Sequence, residues 1–174
     1  MKIYKGISLV VLFSFLIGCE DSQKKNHLSI EIDAIIKEND SIQVFYTTNK
    51  TINFNEDQTF FKKVKGSKLN QIIAIDFPDT IQPKQIRMDF GRNISQKEII
   101  LNQITFSYKE ETHQAKGEEI YTLFRVDDSN TTIDKLTGSL SRNDTTQIYG
   151  PSLYPQGNEL FMTLSKLYSK KSKK

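Results

Sequence analysis

The amino-acid sequence predicts an all-β protein, an antiparallel β-sandwich, and three observations support that prediction. From Leu28 onward the apolar residues recur with a period of two, the period of side chains on one face of a strand. The apolar runs are short, rich in β-branched and aromatic residues, and separated by Gly, Pro, Asn or Asp. Helical patterns, which a βαβ arrangement needs between its strands, are scarce. We therefore expect two packed sheets with at most one or two short helices in the C-terminal third.

The first two strands are predicted to form a hairpin. Residues Leu28 to Asp33 alternate apolar and polar side chains, and Ile42 to Thr47 is β-branched and aromatic. The segment from Lys37 to Asp40 between them consists of turn-forming residues. A polar, Asn-rich loop is expected to follow from Thr48 to Thr59.

Four further strands show the same alternation, and most of them end at a turn residue. They are Phe60 to Lys65, Gln71 to Phe77, Gln85 to Phe90 and Ile99 to Tyr108. In the third of these, alternation places Ile86, Met88 and Phe90 on one face and Arg87 and Asp89 on the other.

The C-terminal third is less regular. Glu118 to Phe124 suits a short helix, Thr131 to Leu140 suits one more strand, and Gly150 to Gly157 reads as a loop. The spacing of apolar residues from Leu160 to Lys170 is compatible with either a strand or a helix.

The N-terminus carries a secretion signal. Lys2 and Lys5 precede an uncharged apolar run of 11 residues, Ile7 to Ile17. Such a run is too short for a bilayer, which needs about 20 residues, and is typical of the apolar region of a signal peptide. An uncleaved N-terminal membrane anchor is the alternative.

The sequence Leu16-Ile17-Gly18-Cys19 at the end of that run resembles the lipobox of bacterial lipoproteins. The resemblance implies that Cys19 receives a thioether-linked diacylglycerol, that signal peptidase cuts before it, and that the new amino group is acylated. Two or three acyl chains anchor a protein stably in the lipid bilayer. Because the next residue is Glu20 rather than Asp, the resemblance further implies the outer membrane, facing either the periplasm or the cell surface.

The predicted organisation is one domain with two short flanking segments, as expected for 174 residues. Residues 1–18 form the signal peptide, 19–26 the lipidated cysteine and a polar linker, 27–165 the β-sandwich, and 166–174 a basic tail. Five lysines lie in the last nine residues, so the basic balance of the chain comes largely from its ends. No basic face for nucleic acid is expected on the domain.

Composition also argues against an enzyme. One Cys excludes an intramolecular disulfide, and two isolated His provide no metal-ligand cluster. No nucleophile motif, phosphate-binding loop or dinucleotide fingerprint is present. Carboxylate pairs such as Glu31–Asp33 and Glu118–Glu119 are the residue type of acid–base catalysis, but Glu31 and Asp33 are expected on the outer face of a strand, which is what solvation alone predicts. We expect no catalytic residue, no cofactor and no metal.

Residues 45–108 show a second resemblance, to jelly-roll, galactose-binding-like sandwiches of bacterial cell-envelope proteins. The matching elements are an FY strand, the Asn- and Phe-rich loop after it, an FP pair that closes a later strand, and the Arg87–Asp89 pair ahead of Gly91. The resemblance implies a jelly-roll-like sandwich. In such folds a sheet face binds sugars in some members and serves as a docking surface in others.

The candidate ligand face comprises Tyr46, Arg87, Asp89, Tyr149 and Tyr154. The Arg–Asp pair offers a donor and an acceptor to sugar hydroxyls, and tyrosine rings offer stacking surfaces. The ordinary alternatives are a cross-strand ion pair and packing tyrosines. The leading hypothesis is a non-enzymatic outer-membrane lipoprotein that docks another envelope component. A lipoprotein that binds envelope or environmental glycan is the alternative, and the absence of Trp makes it the second choice.

Overall fold

The computed structural model of the protein describes residues 26–134, 136–144 and 146–169. The segment predicted as a signal peptide, Cys19 and the lysines from Lys170 onward lie outside the described residues. Within these ranges the elements are β1 (Leu28–Ile36), β2 (Asp40–Thr47), β3 (Thr59–Val64), β4 (Gln71–Asp76), β5 (Gln85–Phe90), β6 (Ile99–Tyr108), β7 (Glu111–Lys116), α1 (Ile120–Leu123), β8 (Phe124–Val126), β9 (Thr131–Asp134), β10 (Ser139–Arg142), β11 (Ser152–Pro155) and α2 (Glu159–Ser169). Single 3-10 turns occur at Glu56–Gln58 and Gly117–Glu119.

The strands form two antiparallel sheets that share one core, which confirms the predicted all-β sandwich. The six-stranded sheet has the order β4-β1-β6-β10-β9, and β7 also pairs with β6. The five-stranded sheet has the order β3-β2-β5-β11-β8. Both α-helices of the described ranges lie in the C-terminal third, as expected.

Eight of the strands, β1 to β6 with β10 and β11, pair in the pattern of a circularly permuted jelly roll. The hairpin β2–β3 lies in the five-stranded sheet, and the strands that flank it in sequence, β1 and β4, pair in the six-stranded sheet. In the same nested manner β6 pairs with β10 in one sheet, and β5 pairs with β11 in the other. The two nested sets lie side by side, because β6 pairs with β1 and β5 pairs with β2.

The predicted hairpin between the first two strands is wrong. β1 and β2 belong to different sheets, so the segment Lys37–Asn39 crosses from one sheet to the other instead of reversing within one. The crossing packs closely against Gly66, where a Cβ atom would lie 2.5 Å from the Lys37 carbonyl oxygen. Turn-forming residues are equally compatible with a hairpin and with a crossing, and burial of both strands against one core decides between them.

Three differences from expectation fall in the less regular regions. The single strand expected from Thr131 to Leu140 is two strands, β9 and β10, with Gly138 at φ +70° in the turn between them. The expected loop from Gly150 to Gly157 contains β11, whose partners β5 and β8 are distant in sequence. β7 was not expected, because its composition from Glu111 to Lys116 is polar.

The ambiguous C-terminal segment is the helix α2. Leu160, Leu164 and Leu167 are buried at the spacing of one helix face, and the Tyr168 ring meets the Tyr108 ring edge to face at 5.0 Å. The boundary expected at residue 165 therefore falls inside this helix, which belongs to the packed domain. No helix in the described ranges is both long and apolar enough to span a membrane.

Candidate functional site

The outer face of the five-stranded sheet carries arginine side chains packed between aromatic rings. The strand register places Phe45 opposite Arg87, and Tyr154 opposite Arg125. We call this surface, together with the adjoining loops, the arginine–aromatic face. Its members are Phe45, Phe54, Phe61, Arg87, Asp89, Arg92, Arg125, Tyr149 and Tyr154.

Arg87 forms the centre of the arginine–aromatic face. Its Nε and Nη2 donate to the two carboxylate oxygens of Asp89 at 2.8 and 2.6 Å, which is the bidentate geometry of an Arg–carboxylate pair. Its guanidinium carbon lies 4.7 Å from the Phe45 ring centroid and 4.4 Å from that of Tyr154. Because Asp89 is buried, its carboxylate has little access to water, and its charge is balanced by the Arg87 guanidinium.

Tyr154 links Arg87 to the edge strand β8. The Arg125 guanidinium carbon lies 5.0 Å from the Tyr154 ring centroid, and the Phe54 ring packs edge to face against the same ring at 6.0 Å. Burial raises the pKa of the Tyr154 hydroxyl above its ordinary value, so the hydroxyl stays protonated at neutral pH. Side chains of β2, β5, β11 and β8 thus form a row in which rings and guanidinium groups alternate.

A second, more open group surrounds Arg92. Its guanidinium carbon lies 4.9 Å from the Phe61 ring centroid and 5.1 Å from that of Tyr149. Its Nη2 also donates to Gln43 Oε1 at 3.3 Å. Phe61 and Tyr149 are 47% and 50% exposed, so this part of the face presents aromatic surface to solvent.

The loop that carries Arg92 is held from two sides. Gly91 has φ of +93°, and the Asp40 carboxylate accepts the backbone N–H groups of Arg92 at 2.8 Å and Asn93 at 3.2 Å. From β10, Arg142 Nη1 donates to the Asn93 carbonyl oxygen at 3.0 Å. These contacts fix the backbone from which Arg92 reaches its aromatic neighbours.

The structure brings four of the five expected site residues onto this face and places the fifth elsewhere. Arg87, Asp89 and Tyr154 contact one another, and Tyr149 contacts Arg92. Tyr46 lies on the opposite side of β2, where its ring meets Phe77 edge to face at 5.8 Å against the core. Alternation along the strand requires this, because Phe45 occupies the outer position.

Sequence reasoning missed several members of the face. Identifying Phe45 requires the register between β2 and β5, which places it opposite Arg87. Assigning Phe61 and Arg125 to this face requires knowing which strands lie beside β3 and β8, and only the sheet order shows that. Arg92 could not be assigned to this face from the sequence, because its position depends on the conformation of the loop after β5.

The arginine–aromatic face offers guanidinium groups and aromatic rings to a contacting molecule. Asp89 is committed to Arg87, and the described residues place no second carboxylate beside that pair in an ion-pair or hydrogen-bond contact. Arg92 and Arg125 have no carboxylate partner within the described ranges. In those ranges no three His, Cys, Asp or Glu side chains converge on a point that would hold a metal ion.

Comparisons with known proteins add no relative. No known family model, no curated protein and no solved structure matches the chain.

Proposed function

We propose that the protein is a lipid-anchored, non-enzymatic binding module of the bacterial cell envelope that docks an acidic partner protein through the arginine–aromatic face. The anchor is the acylated Cys19 at the start of the mature chain, in the outer membrane. The polar linker after Cys19 keeps the sandwich close to the membrane surface.

The observation that supports docking is the group of Phe61, Arg92 and Tyr149. Aromatic and arginine side chains are enriched at protein–protein interfaces, where few residues account for most of the binding free energy. Half of each ring is accessible, and the Arg92 charge has no carboxylate partner in the described part of the chain. A partner that supplies a carboxylate and apolar surface would satisfy both features.

The carbohydrate-binding alternative has less support. A sugar stacks on an open aromatic face, but the Tyr154 ring is covered by the Arg87 and Arg125 guanidinium groups. Tyr46 faces the core. Only Tyr149, of the three expected tyrosines, has half of its surface free.

Anchoring is tested by substituting Cys19. We expect the native chain, expressed in a Gram-negative host with an alkyne-bearing fatty acid, to carry the label and to fractionate with the outer membrane. The Cys19→Ser variant is expected to lose the label, because serine lacks the thiol that accepts diacylglycerol. Gel fluorescence after coupling measures the label. Equal labelling of native protein and variant would contradict lipidation at Cys19.

Docking is tested by site-specific crosslinking in cells. We expect a photoreactive benzoylphenylalanine at position 61 of the full chain to give a discrete crosslinked product. Adding Arg92→Glu should reduce that product by more than about tenfold, because loss of an interface arginine costs about 2 kcal/mol or more and the new carboxylate repels an acidic partner. Band intensity on immunoblots measures the effect.

Two matched controls accompany this experiment. The same photoreactive residue at Ile72, which is exposed on the outer face of the six-stranded sheet, should not give the product. Lys68→Glu makes the same charge change at an exposed loop position and should leave the product unchanged. If Arg92→Glu leaves the product unaffected, docking at this face is contradicted. A thermal shift caused by an envelope glycan and abolished by Tyr149→Ala would favour the carbohydrate alternative instead.

A further inference from the structure

A cleft opens where the edge of β6 changes partner. β10 pairs with residues Ile99 and Ile100, and β7 pairs with residues from Gln103 onward. Neither strand pairs with the two residues between, so a gap remains in the sheet. The cleft at this gap has a volume of about 740 Å³ and is bounded by β6, α1, β8 and the β9–β10 turn. We call it the end cleft, and its size lies in the range of small-molecule sites.

The walls of the end cleft are mainly apolar. Ile100, Val126 and Ile133 contribute aliphatic surface, and the buried Phe124 closes part of the cleft. Leu136, in the turn at the rim, is 97% exposed. An aliphatic side chain that is fully exposed beside an apolar cleft gains burial when the cleft is filled.

The polar lining of the end cleft includes one carboxylate, Glu118, and two donors from which an anionic head group can accept hydrogen bonds. The Tyr121 hydroxyl oxygen is buried and has no hydrogen-bond partner among the described residues. Burial raises the pKa of that hydroxyl, so it remains a donor at neutral pH. Arg125 also lines the cleft, and its guanidinium has no carboxylate partner within the described ranges. A carboxylate accepts hydrogen bonds from both kinds of donor.

We propose that the end cleft binds an amphiphile of the fatty acid class, with its apolar chain against Ile100, Val126, Ile133 and Leu136 and its carboxylate at Tyr121 and Arg125. Arg125 belongs both to the arginine–aromatic face and to the lining of the end cleft. Phe61, Arg92 and Tyr149 do not line the cleft, so the inference does not depend on docking through those three residues.

The test uses a fatty acid that carries a photoreactive diazirine and an alkyne. It is added to the full lipidated chain in phospholipid vesicles, and mass spectrometry maps the modified peptides after illumination. We expect saturable modification concentrated in the segments 117–126 and 133–138. The fatty alcohol of the same length should modify them about tenfold less, because it lacks the charge that strengthens these hydrogen bonds.

Substitutions separate binding in the end cleft from partition into the bilayer. Arg125→Gln is expected to reduce the modification about tenfold, whereas Arg92→Gln should leave it unchanged. Leu136→Glu is expected to reduce it severalfold, whereas Leu69→Glu, at a position 77% exposed in the loop between β3 and β4, should not.

Tyr121→Phe provides a readout that a purely structural tyrosine would not give. Because the Tyr121 hydroxyl has no hydrogen-bond partner among the described residues, we expect its removal to leave the thermal unfolding temperature unchanged or higher while modification falls severalfold. Modification spread over the protein surface, equal modification by acid and alcohol, or no effect of both Arg125→Gln and Tyr121→Phe would overturn the proposal.

Discussion

Phe77→Ala is expected to destabilise the domain by about 3–5 kcal/mol, the cost of replacing a large buried aromatic side chain by alanine. Phe77 is 2% exposed and follows β4 of the six-stranded sheet. Its ring meets two rings of the five-stranded sheet edge to face, Tyr46 at 5.8 Å and Phe60 at 5.1 Å. The substitution would therefore leave a cavity between the two sheets and remove apolar contacts that join them. Equilibrium urea unfolding measures the change.

The matched control for this prediction is Phe61→Ala, which removes the same side chain from the half-exposed position on β3. We expect a loss below about 1 kcal/mol, since little apolar surface and one exposed cation–π contact are removed. Similar losses at positions 77 and 61 would show that the two rings are buried to a similar extent, contrary to the structure.

Arg87→Ala is expected to cost about 3 kcal/mol, because it leaves the buried Asp89 carboxylate without its bidentate partner. The double substitution Arg87→Met with Asp89→Leu removes both charges and should be less destabilising than the single substitution. Urea unfolding of the three proteins at neutral pH measures the difference.

Lys37→Ala serves as the comparison. Lys37 Nζ and Glu98 Oε1 form an ion pair at 2.5 Å, but each side chain is 43% exposed to solvent. We expect its loss to cost less than about 1 kcal/mol. If Arg87→Ala costs no more than Lys37→Ala, the stabilising role of the Arg87–Asp89 pair is contradicted.

Local sequence patterns were sufficient for the fold class and for most strands. Alternation from Gln85 to Phe90 placed Arg87 and Asp89 outward, and the structure agrees. The same rule, combined with the register between β2 and β5, explains why Tyr46 does not join them. Alternation shows which residues share a face, but only pairing shows which face of one strand continues onto the next.

Tertiary pairing explains the elements that local reasoning missed. The segment Ser152–Pro155 lies between turn residues and is a strand because β5 and β8 supply its hydrogen-bond partners. Whether β2 pairs with β1 or crosses to the other sheet is not determined by any local sequence pattern. The end cleft depends on where β7 and β10 stop along β6, so it too could not be predicted from the sequence.

The row of alternating rings and guanidinium groups has a consequence for when the protein becomes competent to bind. Phe45 and Arg87 belong to the first half of the chain, whereas Arg125 and Tyr154 come from β8 and β11 in its C-terminal third. A chain still being synthesised, or one truncated before β11, cannot assemble the row and leaves Arg87 with one of its two rings missing. The row of the proposed docking surface is therefore complete only in a chain that includes β11.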